Sequence, residues 1–301
     1  MTNESSAIAL PGGAKMAASF TFDVDGESAA IAADAGLATS MSAMSHQAYG
    51  PLVGVRRILD ILEGHRMKST FFVPGYTADR YPHVVKDIVA AGHEIAHHGY
   101  HHVQPTGLSE AQQIEQIDRG CDVLEKLSGS RPIGYRAPMW DLSWQMPRLL
   151  AERGFLYDSS LMDADAPYRL LADPDAGASA TASAGSLIEI PIQWALDDWE
   201  QYCFVPGLTE LGPIQTPRNA VELWRSELDG MRTYGGCWVL TNHPFLSGRP
   251  GRAAALNDLI GEVVAMPDVW TACLSDIAEH FAAHPLTARS VEPVRQPGVP
   301  S

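Results

Sequence analysis

Several things are scarce in these 301 residues, and each scarcity excludes a class of protein. No apolar run approaches the roughly 20 residues that a bilayer-spanning helix needs. The first 20 residues lack a basic start followed by an apolar stretch of signal-peptide length, so a cytoplasmic protein is expected. Cysteine occurs only as Cys121, Cys203, Cys237 and Cys273, with no C-x-x-C and no close pair. That pattern is neither a zinc ribbon nor a disulfide framework, and it suits a reducing compartment. Positive charge is also short, with 21 Lys and Arg against 36 Asp and Glu and a net charge of −15. Such a chain has no long-range field to gather phosphate backbones or anionic lipid, and Arg56-Arg57 stands alone as a basic pair. Neither nucleic acid nor membrane is an expected partner.

What is present is ordinary globular composition, 46% hydrophobic and 19% charged, which rules out a largely disordered chain. Short apolar stretches alternate with amphipathic ones. Residues 19–23 read as a strand, and residues 52–63 as a helix carrying Leu52, Val55, Ile58, Leu59 and Leu62 on one face. Residues 70–73 form a strand closed by Pro74-Gly75, and a helix over 81–91 leads through Gly92 to a strand at 94–97. Ser109 and Gln112 fit a capping box that opens a long helix ending near Gly129. Strands follow at 133–136, 157–159, 187–191, 237–241 and 269–272, with helices at 144–153, 217–233 and 252–266.

About eight strands with helices between most of them predict an α/β fold. The expected form is a single-domain, irregular (β/α) barrel of about 7–8 parallel strands, with a doubly wound open sheet as the alternative. The barrel domain is assigned to residues 19–285, with an N-terminal segment over 1–18 and a flexible tail over 286–301. Residues 173–186, rich in Ala, Ser, Gly and Asp, read as a surface loop.

The chemistry gathers at strand ends. Along the first strand alternate residues share a face, so Thr21, Asp23 and Asp25 point together, away from Phe20, Phe22 and Val24. Two carboxylates on one face are costly unless a cation lies between them or one is protonated, although D-V-D-G-E also reads as a solvated turn. The second cluster is His97-His98-Gly99-Tyr100-His101-His102, with His93 just before it. Neutral imidazole is a common ligand of zinc and similar metals. The pairs 93/97, 97/101 and 98/102 all have i,i+4 spacing, and spacing does not choose among them. A purely structural histidine cluster is the plainer alternative. Arg136, Asp197-Asp198-Trp199 and His243 likewise follow strands, where the mouth of a barrel collects catalytic groups.

Taken in order, these segments resemble the polysaccharide deacetylases, the NodB-homology carbohydrate esterases. Thr21-Phe22-Asp23-Val24-Asp25 resembles the family's first motif and His98-Gly99-Tyr100-His101-His102 its second. Arg136-Ala137-Pro138-Met139-Trp140 resembles the third, Asp198-Trp199 the fourth and Leu240-Thr241-Asn242-His243 the fifth. The resemblance covers residues 19–280. It departs from the commoner secreted members in two places: Val24 separates the two aspartates, and Gly99 stands where Ser or Thr is usual. Both departures resemble an intracellular branch that includes peptidoglycan-deacetylase-like proteins, cyclic imide hydrolases and allantoinase-like enzymes.

The resemblance implies a metal-dependent hydrolase of amide bonds. It selects Asp25, His98 and His102 as ligands of one divalent metal, zinc first, with Co²⁺, Mn²⁺ or Ni²⁺ as other occupants. It implies Asp23 as base, Arg136 orienting it, His243 as acid and Asp198 orienting that. Trp140, Trp199 and Tyr100 are the implied substrate-binding residues, with a backbone N–H near Tyr100 facing the oxyanion. The implied substrate is an N-acetylated amino sugar or its polymer. The alternatives are a small cyclic imide or amide, and a catalytically silent carbohydrate-binding protein. By analogy with the branch, a homodimer or homotetramer is expected.

Overall fold

The computed structural model describes residues 8–172, 185–205, 214–286 and 288–289. Ten strands form its sheet: β1 (Met16–Asp23), β2 (Thr70–Val73), β3 (Glu94–His97), β4 (Gly134–Tyr135), β5 (Tyr157–Asp158), β6 (Tyr168–Leu171), β7 (Ser186–Glu189), β8 (Cys237–Asn242), β9 (Val269–Thr271) and β10 (Ala288–Arg289). Their order is β10-β6-β7-β5-β4-β3-β2-β1-β8, with β9 also paired to β1. Every pairing is parallel except β6 with β7. The sheet curls until the chain leaving β7 meets β8, at a lone parallel bridge between Asp197 and Thr241. The expected α/β barrel of parallel strands is therefore the fold, irregular at this seam.

The eight residues of β1 are buried on both faces, as parallel strands under helices must be. Phe20, Phe22 and Val24 join Ile58, Leu59, Leu62, Trp224, Trp238 and Leu259 in the apolar layer between strands and outer helices. Burying each such side chain is worth about 1.5–3 kcal/mol. Phe72, Ala96, Tyr157, Ile188 and Val239 face inward, joined by Leu274, Ile277 and Phe281 of the helix Leu274–Ala282. That helix closes the end of the ring where the strands begin. Leu274 N donates to Thr70 Oγ1 and Ser275 N to Glu94 Oε2, at the first residues of β2 and β3. The opposite end stays open.

The expected helices lie at Val55–Gly64, Pro82–Ala90, Glu110–Ser128, Met146–Glu152, Pro217–Tyr234 and Pro250–Val264. Ser109 and Gln112 form the reciprocal capping box, and Gly129 ends the helix at φ 83°. Ser186 belongs to β7 rather than to the expected loop, and residues 173–184 lie outside the described residues. Most of the expected tail also lies outside them, but Ala288–Arg289 pair with β6. Short helices at Glu27–Ala33, Gly75–Arg80, Trp199–Tyr202 and Pro244–Ser247 are additions to the sequence reading. Each is under eight residues, too short for apolar periodicity to register. Among the described residues no helix is long and apolar enough to cross a membrane.

One close approach sets the open end. The turn Pro244–Ser247 packs against the chain over residues 50–54, and a methyl group at Gly54 would overlap the Pro244 carbonyl. Gly54 has helical φ and ψ that alanine accepts, so only the contact forbids a side chain. Gly54→Ala is expected to lower stability by about 1–3 kcal/mol, the usual cost of overpacking, measured by urea unfolding. Because the displaced turn begins at His243, the variant's kcat should fall more than the loss of folded protein accounts for.

Candidate metal centre and active site

The open end of the barrel gathers Asp23, Asp25, His98, His102, Arg136, Asp198 and His243, all buried to 6% exposure or less. Asp23 ends β1, and Thr21 and Asp23 share one inward partner, as strand alternation requires. Arg136 Nη1 donates to Thr21 Oγ1 and to Asp23 Oδ1, each at 2.9 Å. Asp25 sits one turn further, where Gly26 takes φ 57° and ψ −143°, a conformation that suits only glycine. Its carbonyl accepts hydrogen bonds from Ser28 Oγ at 2.7 Å and from Thr77 Oγ1. The backbone is fixed, so the carboxylate is aimed.

The three histidine pairs left open by spacing part company where β3 ends. His97 points out of the barrel against the helix Glu110–Ser128, with Nε2 at 3.0 Å from the Ile117 carbonyl. His93 accepts from Ser69 N, and His101 is exposed. His98 and His102 turn inward to Asp25, with Nε2 to Oδ1 distances of 3.6 and 3.5 Å. His98 Nδ1 lies 2.7 Å from the Arg136 carbonyl and therefore donates there, which leaves Nε2 with a lone pair facing the carboxylates. Burial first, and then His102, pushes the His98 imidazole down to about 3, so it stays neutral.

Both oxygens of Asp25 and Nδ1 of His102 are buried without a hydrogen-bond partner. A buried carboxylate with neither donor nor counter-ion is costly. Here two imidazole Nε2 atoms converge on it, and the three donor groups lie within 4.8 Å of one another. One carboxylate and two neutral imidazoles fit a divalent cation with coordination positions left for water and substrate. The backbone pays for this geometry, since His102 takes φ 59°. Gly99 takes φ 69°, and a side chain there would meet Pro138 Cγ at 3.0 Å.

His243 faces the same point, with Nε2 3.6 Å from Asp25 Oδ2. Its Nδ1–H donates to Asp198 Oδ1 at 2.7 Å, and its backbone N–H donates to the same oxygen at 2.9 Å. Ser247 Oγ donates to the other oxygen of Asp198. Burial alone would lower the His243 pKa, but Asp197, Asp198 and Asp25 outweigh it and raise it well above the ordinary value. Asp197 is pushed up to about 8, by burial first and by Asp198 as well. Asp197, Asp198 and His243 are also close enough to be metal ligands, but both oxygens of Asp198 already accept hydrogen bonds.

A small cavity of about 120 Å³ opens over the centre, walled by Met139, Trp140, Trp194, Trp199, Asp197 and Glu200. Trp140 stacks on Trp194 at 4.5 Å, and Trp199 packs edge-on to His243 at 5.3 Å. Trp194, Met139 and Glu200 were not among the expected site residues. Trp194 follows β7 as the other site residues follow their strands, and that position was its signal. Tyr100 is the correction. Its ring is buried under the Arg119 guanidinium, and its hydroxyl donates to Asp79 and accepts from Arg119. Its backbone N–H donates to Gln116 Oε1 at 3.2 Å, so neither the ring nor the amide faces the cavity.

Residues 49–157 match the polysaccharide deacetylase family. The chain is 32% identical over 232 residues to the peptidoglycan deacetylase-like protein FGM2 of Gibberella zeae, covering 69% of each chain. A crystal structure from Mycobacterium smegmatis, described as a polysaccharide deacetylase, superposes with a TM-score of 0.91 at 54% identity, over 96% of this chain and 98% of that one. The allantoinase PuuE superposes with a TM-score of 0.76 at 26% identity, over 91% and 92%. With its barrel and its ordered motifs, the chain belongs to the polysaccharide deacetylase family of amide-cleaving hydrolases.

Proposed function

We propose that this protein is a zinc-dependent N-deacetylase of acetylated amino sugars, working in the cytoplasm. The observation that carries the chemistry is the convergence of His98 and His102 on a buried, unpartnered Asp25 carboxylate beside Asp23 and His243. The free, buried state of all four cysteines supports a reducing compartment.

Asp25, His98 and His102 would hold the metal, and a mixed carboxylate and imidazole set suits zinc. Such an ion supplies a Lewis acid for the amide carbonyl and makes water acidic enough to attack. We assign to Asp23 the role of base, taking a proton from the attacking water. One of its oxygens is held by Arg136, while Oδ2 faces the centre, 3.7 Å from His98 Nε2. His243, kept protonated by its carboxylate neighbours, donates a proton to the departing nitrogen from Nε2. Asp198 fixes the ring by holding Nδ1. Trp140, Trp194 and Trp199 give the acyl group and its ring apolar walls.

A second reading has one observation in its favour. The cavity is small, and the likeness to an allantoinase brings in ring-opening of a cyclic imide or amide by the same groups. Purified protein with added zinc should release acetate from acetylated glucosamine oligomers and leave succinimide and hydantoin intact. Ring opening without acetate release would move the assignment to the second reading, and inertness toward both would remove the catalytic one. Asp23→Asn should bind metal at the wild-type ratio while kcat falls about 10²–10⁴-fold, the usual contribution of a general base. His98→Ala should lose both metal, by elemental analysis, and turnover.

A further inference from the structure

A second buried acidic pair lies behind the catalytic residues. Asp158 and Glu189 are register partners on β5 and β7, both fully buried. Glu189 Oε1 accepts from two backbone amides, Ser160 N at 3.1 Å and Leu161 N at 2.8 Å. Asp158 Oδ1 accepts from Ser160 Oγ at 2.8 Å, and that hydroxyl accepts from Ala137 N at 2.9 Å. The remaining oxygens, Asp158 Oδ2 and Glu189 Oε2, have no N–H or hydroxyl donor, an arrangement that suits a proton shared between them. Burial first, and then the Asp158 charge, raises Glu189 well above the ordinary carboxyl range, and burial raises Asp158 as well, which favours one proton held between the two.

What this pair holds is the turn that grips Arg136. Arg136 Nε donates to the Ser159 carbonyl and Nη2 to Ser159 Oγ, each at 3.1 Å, while Nη1 reaches Asp23. Two of the guanidinium's three nitrogens therefore lean on a residue whose neighbours are pinned by Glu189. The third holds the base. We infer that Glu189 is a positioning residue for the hydrolysis, acting through the Ser159-Ser160 turn and Arg136 to fix Asp23. The inference rests on the proposed role of Asp23 and adds a residue outside the family motifs. Nothing in it requires Glu189 to touch substrate or metal.

The chemistry gives a discriminating pair of variants. In Glu189→Gln the amide oxygen still accepts from Ser160 and Leu161, and the NH₂ donates to Asp158 as the carboxylic acid would. Glu189→Ala removes all three contacts. On whichever amide the wild type hydrolyses, Glu189→Ala should lower kcat at least 10-fold with KM changed less than twofold. Glu189→Gln should stay within threefold of wild type. Ser159→Ala, which deletes only the Nη2 contact, should lower kcat about three- to tenfold at unchanged KM and should fold even where Glu189→Ala does not. Metal content by elemental analysis should remain at the wild-type ratio in every folded variant. Wild-type kcat in Ser159→Ala, or Glu189→Gln as impaired as Glu189→Ala, would overturn the inference. An inactive wild type would instead remove the functional reading on which it stands.

Discussion

A guanidinium enclosed in the mouth of a barrel is the constraint around which this structure is arranged. Arg136 is wholly buried, and removing such an ion from water costs several kcal/mol even after relaxation. The cost is offset as its N–H groups find acceptors, and here the acceptors come from separate strands. Asp23 and Thr21 belong to β1, Ser159 follows β5, and the ring of Phe72 on β2 lies 4.1 Å from the guanidinium carbon. The carbonyl of Arg136 accepts from His98 after β3. One side chain and its own backbone thus tie the candidate base to a candidate metal ligand. The distances among them follow from the needs of a buried cation as much as from catalysis.

The parts of this arrangement that were legible in the sequence share a physical reason. Strand alternation put Thr21 and Asp23 on one side and Phe20 and Phe22 on the other, because a buried strand must sort its side chains by face. The capping box at Ser109 was legible because it is local. The histidine pairs were not, since His97 and His98 differ only in which way the chain turns after β3. Gly99 at φ 69° and His102 at φ 59° make that turn, and a left-handed residue leaves no periodicity to read.

The pairings that the sequence does not display are assembled across long separations. Trp140 and Trp194 stack although they lie far apart in the chain, and both flank irregular backbone. Met139 and Trp140 have positive φ values, 56° and 54°, so the third motif presents its aromatic wall through strained backbone. Tyr100 shows the opposite error. A motif places a residue near the chemistry, but Asp79 and Arg119, from two neighbouring helices, claim its hydroxyl. The Asp158 and Glu189 pair is read only from strand register, which no sequence period encodes.

The seam at Asp197 and Thr241 has a mechanical meaning. Among the described residues β7 and β8 share no strand ladder; one bridge, the hydrogen bond from Asp198 N to the Thr241 carbonyl and the bonds that His243 and Ser247 make to Asp198 join the two sides. Of the two residues that follow those bridge partners, Asp198 holds the candidate acid His243 in space, and Asn242 precedes it in the chain. The candidate proton donor and the carboxylate that orients it therefore stand on opposite sides of the joint. A parting of this joint would separate the imidazole from Asp198, so the closure of the ring and the aim of the candidate acid depend on the same contacts.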